Sequence, residues 1–291
     1  MRKEHFHTYS ICSLGDAPGP KDMIIDHLGH YIEEHRHLVF PHKHDFYHLV
    51  YFTGGKGTHT IDFNTYTVRP GQLYVMIPGQ VHTWDFGENV DGFIINFSPA
   101  FLSGLLADPA YAGRFSFFAG GWEHQVFTIR KKDQEELQAV FQVLKKEYDA
   151  DEAFREDRLR VLLVDLLIRI QRSTGEENKK DAVGYNPVVL KNFRDLVEKH
   201  FREYKLTKDY ASRLYITPNH LNALCKDITG HSAGDLIRRR VILEAKRLLI
   251  NAGLDIAVIA SELGFKDPSY FTRFFRKSEG VTPAAFRKTV H

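Results

Sequence analysis

From Ala211 the chain reads ASRLYITPNHLNALCKDITGHSA, and from Ala260 it reads ASELGFKDPSYFTRFFRKSEGVTPA. The two stretches are copies of one unit. Ala211 aligns with Ala260 and Leu214 with Leu263. One extra residue in the second turn then shifts the register, so that Pro218 meets Pro268, Leu221 meets Phe271, Leu224 meets Phe274 and Gly230 meets Gly280. Each copy reads as a short apolar helix, a tight turn and a second helix with its own start signal. In the first copy Thr217 can cap that helix with its hydroxyl, and Pro218 suits the first helical position, where no amide donor is needed. Leu221, Leu224, Cys225 and Ile228 recur at helical spacing and predict a buried stripe, with Gly230 as the stop. Asn219, His220, Asn222, Ala223 and Lys226 are left facing outward. In the second copy Asp267 is the cap and Phe271, Phe274 and Phe275 form the inner face, leaving Ser269, Thr272, Arg273, Arg276 and Lys277 outside.

Helix, tight turn, helix is the order of a helix-turn-helix, whose second helix enters the DNA major groove. The outward residues suit that use, because Arg can grip guanine by two bonds, Asn can grip adenine, and Ser or Thr can take either role. Lys277 is suited to a phosphate contact. One copy alone would read equally well as an ordinary helical bundle with a solvated face. Two aligned copies joined by a basic helix favour DNA. The joining helix starts at Ser232, where Asp235 completes a capping box, and runs through LIRRRVILEAKRLL to about Ile250. Leu236, Val241, Leu243, Leu248 and Leu249 supply its apolar surface, and Arg238, Arg239, Arg240, Lys246 and Arg247 its charge. A rigid connector fixes the spacing of two reading helices, and successive major-groove faces lie ~34 Å apart.

Charge is distributed accordingly. The whole chain of 291 residues carries a formal +2, but from Asn186 onward there are 19 Lys and Arg against 11 Asp and Glu, a balance of +8. The remainder holds 20 basic and 26 acidic residues, a balance of −6. A basic C-terminal third is the footprint of a phosphate binder, and the acidic part before it is not a nucleic-acid surface. Cys12 and Cys225 are the only cysteines, which excludes a disulfide framework and fits a reducing cytoplasm. The N-terminus MRKEHFHTYS lacks the apolar run of a signal peptide, and no stretch is long enough to span a membrane.

At RVILEAKRLL, IASELGFKDPSYFTRFFRK and GVTPAAFRK the sequence resembles the AraC/XylS family of bacterial transcription regulators, over about Asn186 to Lys288. In that family bases are read from the front of each second helix. The resemblance carries this to Asn219, Asn222 and Ala223 in the first copy and to Ser269, Thr272 and Arg273 in the second. Family members often place a long polar or basic residue where this chain has Ala223, which argues against strong guanine readout there. The resemblance implies promoter DNA, a small-molecule effector, a second copy of the chain and RNA polymerase as partners.

Before residue 173 the pattern differs. HLVF, YHLVYFTG, THTIDF, YTV, QLYVMIP, VHTW and GFIINF, between His37 and about Phe97, read as short strands of a sandwich or small barrel. At HKHDFYHLVYFTGGKGTHTI and PGQLYVMIPGQVHTW the chain resembles the cupin-type sensing domain of AraC-like regulators. That likeness implies an effector pocket lined by His42, His44, Tyr51, Tyr74, His82 and Trp84. Metal-binding cupins use a His-x-His pair, a Glu and a distant His, so the same likeness offers a divalent-metal alternative on His42, His44, His48 and His82. Against the metal, His48 stands where Glu is usual, the glycine expected before the first motif is missing, and Phe86 replaces an Asn. No cofactor is required by the effector reading. Two helices follow: DQEELQAVFQVLKKEY with Leu137, Val140, Phe141 and Leu144, and FREDRLRVLLVDLLIRIQRS with Leu159, Leu162, Leu163, Leu166, Leu167 and Ile170. The second is apolar over more than one stripe, which suits packing on the barrel and on a partner subunit, and the family often dimerises here.

The expected architecture is therefore multidomain: an all-β cupin-like barrel with helices over 1–172, a linker over 173–186 (STGEENKKDAVGYN), and an all-α double helix-turn-helix domain over 187–291. The expected function is a cytoplasmic, sequence-specific transcription regulator that is not an enzyme, with a sugar or related metabolite as effector by analogy to cupin-bearing relatives. Two rivals are a metal-dependent cupin enzyme carrying a DNA-binding tail and a regulator whose barrel only dimerises. No nucleophile–base pair or phosphate loop supports the enzyme.

Overall fold

Strands of alternating polarity build one unit, 7–177, and amphipathic helices build a second, 178–291. The structure, a computed structural model, describes residues 8–14, 20–87, 89–103, 111–119, 125–174, 185–250 and 253–289. Most of the expected linker, 175–184, lies outside the described residues, while Ser173 and Thr174 complete one helix and Tyr185 and Asn186 begin the next. Among the described residues no helix is long and apolar enough to cross a membrane.

The first unit contains β1 (Thr8–Tyr9), β2 (Met23–His27), α1 (Leu28–Glu34), β3 (His42–His44), β4 (Tyr47–Gly54), β5 (Gly57–Ile61), β6 (Asn64–Val68), β7 (Gln72–Met76), β8 (Val81–Phe86) and β9 (Asp91–Phe97). It continues through α2 (Pro99–Ser103), α3 (Ser116–Ala119), β10 (Val126–Thr128), α4 (Lys131–Asp149) and α5 (Arg155–Thr174). HLVF, expected as a strand, is instead a 3-10 turn over Arg36–Val39 that delivers the chain to β3. Two five-stranded sheets form, in the orders β1-β3-β8-β5-β6 and β10-β7-β4-β9-β2. Pairing is antiparallel except for β1 with β3.

Both faces of the second sheet are buried. Ile24, Val50, Phe52, Tyr74, Met76 and Ile94 point inward, where they join Ile61, Val68 and Trp84 of the first sheet in one core. Their neighbours Ile25, Leu49, Tyr51, Leu73, Val75, Phe93 and Ile95 point the other way and pack with Leu137, Phe141, Leu163 and Leu167 of α4 and α5. Side chains alternate across a strand with period two, so a sheet covered on both faces reads as a continuous apolar run. This corrects the placement of Tyr51. Its ring stacks on Phe141 at 5.5 Å and 3°, in the helical layer and not inside the barrel.

The second unit contains α6 (Tyr185–His200), α7 (Thr207–Arg213), α8 (Pro218–Thr229), α9 (Ala233–Leu249), α10 (Ile256–Glu262), α11 (Pro268–Glu279) and α12 (Pro283–Thr289). The two copies share the hydrogen bond that closes the turn after the first helix. The Ile216 amide donates to the Ala211 carbonyl at 3.0 Å, and its counterpart Phe265 donates to Ala260 at 2.9 Å. Ala211 and Ala260 are wholly buried, Thr217 accepts from the His220 amide, Asp267 accepts from the Ser269 amide, and Gly230 and Gly280 end α8 and α11 in the left-handed region. Helix α9 starts at the Ser232 cap and packs against helices of both copies. Its charge is largely consumed internally. Arg240 is 7 % exposed, donates to Glu198 at 2.8 Å and Glu244 at 3.0 Å, and lies 3.9 Å over the Phe201 ring. Burial pushes the Glu244 carboxyl up, but Arg240, Arg247 and Arg202 outweigh it and hold the group below its ordinary value. Arg238 pairs with Asp235, and Lys246 pairs with Glu279 of α11. Only part of the expected basic surface of the connector thus faces outward, because buried cations need carboxylate partners.

The second residue after each first helix adopts a left-handed backbone: Tyr215 at φ 57° and Gly264 at φ 75°. Tyr215 is 96 % exposed, whereas a Cβ on Gly264 would meet the Arg202 carbonyl oxygen at 1.9 Å. A non-glycine residue in this region costs about 1–2 kcal/mol. Gly264→Ala should therefore destabilise the helical unit by clearly more than that, and Tyr215→Gly should stabilise it by about 1 kcal/mol. Denaturant unfolding followed by far-UV circular dichroism checks both, and shifts of equal size for the two variants would refute the steric account.

Candidate functional site

The helix-turn-helix faces are built by caps and apolar stripes. Leu221, Leu224 and Cys225 turn α8 inward, with Ile228 only partly covered. Asn219, His220, Ala223 and Lys226 remain exposed. Asn222 differs from expectation: it is half-buried, with its Oδ1 inside and without a protein partner. In α11, Phe271 and Phe275 are wholly buried, while Phe274 is partly covered and rests on Phe265 at 5.2 Å. Ser269, Arg273, Arg276 and Lys277 are exposed. The Thr272 hydroxyl donates back to the Pro268 carbonyl at 3.0 Å, which leaves it an acceptor toward any ligand. Arg273 is 71 % exposed at its side chain, and its guanidinium stands 3.9 Å from the cap carboxylate of Asp267. Tyr270, unremarked in the sequence, is 54 % exposed at the front of the same helix.

Inside the barrel the structure brings five histidines together. His42 and His44 alternate on β3, so both face inward, and His42 is the registered partner of His82 on β8. His59 on β5 lies opposite Trp84, and His48 enters from β4 in the facing sheet. His42 and His82 rings are 4.3 Å apart, His44 and His82 4.6 Å, and His42 and His44 4.8 Å. Tyr74 stacks on His59 at 5.1 Å, and Trp84 stands edge-on to His42 at 5.5 Å. Of the expected pocket, His42, His44, Tyr74, His82 and Trp84 are therefore brought together, all buried. His59 escaped sequence reasoning because a lone histidine in THTIDF resembles ordinary strand polarity. Its signal was the alternation with Ile61, which puts both on the inner face.

Hydrogen bonds set the tautomers. His42 Nδ1 faces the Phe40 carbonyl at 2.7 Å and His48 Nδ1 faces Asn96 Oδ1 at 2.7 Å. Both acceptors require an Nδ1–H, so each Nε2 carries a lone pair. His44 Nε2 and His82 Nε2 are 2.5 Å apart, and His82 Nδ1 is 3.0 Å from His59 Nε2. Burial pushes His42 down to about 4 and His48 to about 3, and holds His44, His59 and His82 well below the ordinary histidine value, with neighbouring imidazoles adding to it. A separate cavity of about 700 Å³ is lined by Asp26, His30, Tyr31, Glu34, Lys145 and Tyr148 among others. Tyr31 links the two, since its hydroxyl accepts from Asn96 Nδ2 at 3.3 Å.

Comparison with known proteins finds matches to both units. Residues 25–163 match the family model of an AraC-like ligand binding domain, and residues 210–289 match a helix-turn-helix domain. The chain is 25 % identical over 145 residues to the HTH-type transcriptional regulator YisR of Bacillus subtilis, covering 50 % of this chain and 48 % of the relative. It is 28 % identical over 121 residues to the regulatory protein PocR of Salmonella typhimurium, covering 42 % and 40 %. With the HTH-type transcriptional activator RhaS of Salmonella arizonae it shares 22 % identity over 261 residues, 86 % of this chain and 88 % of the relative. The matches thus span about half or less of the first two relatives and most of the third.

Each barrel histidine has a folded pKa below its ordinary value near 6.5, so on acidification the unfolded chain takes up protons that the folded barrel refuses. The stability of the barrel should fall as pH drops from about 6.5 toward 4, by about 3 kcal/mol for His42 alone. Trp84 is buried in this unit, and the sequence has no tryptophan after residue 122, so tryptophan fluorescence reports the melting of this unit and not of the helical one. The melting temperature should decline steadily between pH 7 and pH 4.5. A flat profile would mean that the histidines are protonated as readily in the folded state as in the unfolded one.

Proposed function

Because the chain belongs to the AraC-type transcriptional regulators, we propose that it is a sequence-specific DNA-binding regulator whose barrel senses a small molecule. The observation that carries this reading is the doubled helix-turn-helix, with two capped helices presenting exposed polar and cationic side chains. Asn219, His220, Asn222, Ala223 and Lys226 of α8 and Ser269, Thr272, Arg273, Arg276 and Lys277 of α11 make the DNA contacts, with Arg273 reading a base and Lys277 a phosphate. The effector is a small hydroxylated metabolite such as a sugar, bound through His42, His44, Tyr74, His82 and Trp84. Unpaired imidazole nitrogens in this cluster suit hydroxyl donors. The effector acts by having different affinity for DNA-competent and incompetent arrangements. The histidines serve recognition and not turnover, the chain works in the cytoplasm, and RNA polymerase is its partner at the promoter.

The regulator is a homodimer through α5, whose buried Leu159, Leu163, Leu166 and Ile170 pack in the core between the second sheet and the helices while Val161 is 57 % exposed and Val164 and Ile168 are only partly covered. Val161→Glu should convert the dimer to a monomer in light scattering, with the tryptophan-monitored melt retained. A wild-type chain that is monomeric at tens of micromolar would dismiss the α5 interface.

Base readout by Arg273 has a distinct signature. A bidentate guanine contact contributes about 1–3 kcal/mol of discrimination. Arg273→Ala should weaken binding to the promoter that the chain enriches from genomic DNA by about 5- to 150-fold and relax preference at one base pair. Lys277→Ala should weaken all sequences alike and reduce the salt dependence. Affinities across single-base operator variants decide the matter; a profile for Arg273→Ala parallel to wild type at every position would show that this arginine reads nothing.

A further inference from the structure

We propose that the cavity beside α1 is a second ligand site, separate from the barrel histidines, for an amphiphilic organic cation: a primary ammonium group on a small apolar body. Three elements meet to form it. Strand β2 is the last strand of its sheet and supplies Asp26, and α1 follows it directly with His30 and Glu34 one turn apart. Helix α4 packs on β2 and supplies Lys145, Tyr148 and Asp149 from one face of its end. The space they enclose, about 700 Å³, is of the size that takes a small organic ligand and far more than one ion fills. Its apolar lining comes from Leu14, Ile24, Ile25 and Tyr31, all buried.

The polar lining has acceptors to spare and its donors are spent. A carboxylate can accept about four hydrogen bonds. Asp26 receives the His27 amide at 2.8 Å and His30 Nδ1 at 2.5 Å, while Glu34 meets His30 Nε2 at 3.5 Å. The bond to Asp26 holds His30 above its ordinary value, which commits both of its N–H groups to these acids. Lys145 gives its ammonium to both oxygens of Asp149, at 2.6 and 2.7 Å, and stands 3.8 Å from Asp26. His35 spends both ring nitrogens on the Leu14 and Tyr31 carbonyls. Independent of these acids, Tyr148 points to a ligand. It is 3 % exposed, and its buried hydroxyl has no hydrogen-bond partner. Burial pushes that phenol up to about 12, and the carboxylates of Asp26 and Asp149 add to the shift, so it remains a neutral hydroxyl beside two acids. Native structures rarely leave such a group unpaired. An ammonium would donate to the Tyr148 oxygen and to the neighbouring carboxylates together, and its apolar body would lie on the aliphatic lining. An anion would instead face three carboxylates with both nearby cations already paired. The site depends on neither the DNA-binding reading nor the barrel effector.

The test titrates the full-length chain with 2-phenylethylamine, n-hexylamine and 1,6-diaminohexane, using calorimetry and the tryptophan-monitored melt. 2-Phenylethanol and phenylacetate serve as the neutral and anionic forms of the first body. At least one amine should saturate at one per chain and raise the melting temperature. 2-Phenylethylamine should bind about 10-fold or more tighter than the alcohol, because a charged donor makes the stronger hydrogen bond, and phenylacetate should not bind. Tyr148→Phe should keep or raise the melting temperature of the unliganded chain, since the lost hydroxyl has no partner, yet weaken the amine by about 10-fold. Asp26→Asn should weaken it at least as much, and His44→Ala in the barrel should leave it unchanged. Failure of all three amines to saturate would overturn the site, as would an alcohol or acid that binds as tightly as its amine. Unaltered amine affinity in Tyr148→Phe, or a lowered melting temperature for that variant without ligand, would remove the hydroxyl on which the site rests. Loss of the amine in His44→Ala would move it into the barrel. Manganese(II) or zinc binding in place of the amines, and lost in His30→Ala, would overturn the proposal in favour of a metal on Asp26, His30 and Glu34.

Discussion

The contact on which the helical unit depends is the seating of its second turn against the corner between α6 and α7. Gly264 backs onto the Arg202 carbonyl so closely that no side chain fits between them. From the same corner Lys205 donates to the Phe201 and Arg202 carbonyls and lies 5.3 Å over Phe265, buried enough that its ammonium is pulled down to about 8. Phe201 in turn supports the Arg240 guanidinium at the middle of α9. One stretch of backbone thus fixes both the long connector and the second copy. The 17 residues of α9, about 25 Å at 1.5 Å per residue, carry that placement as a rigid rod.

This arrangement divides the cations of a strongly basic unit into two populations. Arg240, Arg247 and Lys246 are committed to Glu198, Glu244 and Glu279, where their charge orders helices against one another. Removing a carboxylate from such a set would leave a buried guanidinium unpaired, which is far costlier than losing a surface pair. Arg273, Arg276 and Lys277 are held instead on a helix whose opposite face is aromatic, and they stay in solvent. Net charge alone does not separate the two groups; burial does.

The barrel follows a different logic. Its β10-β7-β4-β9-β2 sheet is covered on one side by the facing sheet and on the other by α4 and α5, so its stability does not require the histidines to be apolar. Instead the inner face concentrates imidazoles that are neutral, half-satisfied and linked through Asn96 and Tyr31 to the separate cavity. A polar cluster in such a place is either recognised by a ligand or maintained at a cost, since low dielectric strengthens each satisfied bond and penalises each missing one.

The sequence by itself determined the repeat, its caps and its inner stripes, because Thr217, Asp267, Pro218, Pro268 and the glycine stops act through local backbone geometry that needs no distant partner. It also determined that His42, His44 and His82 share a barrel, since strand alternation is local too. Tertiary structure alone decided the rest. Tyr51 turned outward because a sheet covered on both faces erases the polarity contrast that assigns sides. His59 joined the cluster through a cross-strand register that spacing does not encode. Arg240 became a core residue because its carboxylate partners arrive from α6 and from the next turn of its own helix, and only packing reveals which cations are spent holding the fold and which remain for a ligand.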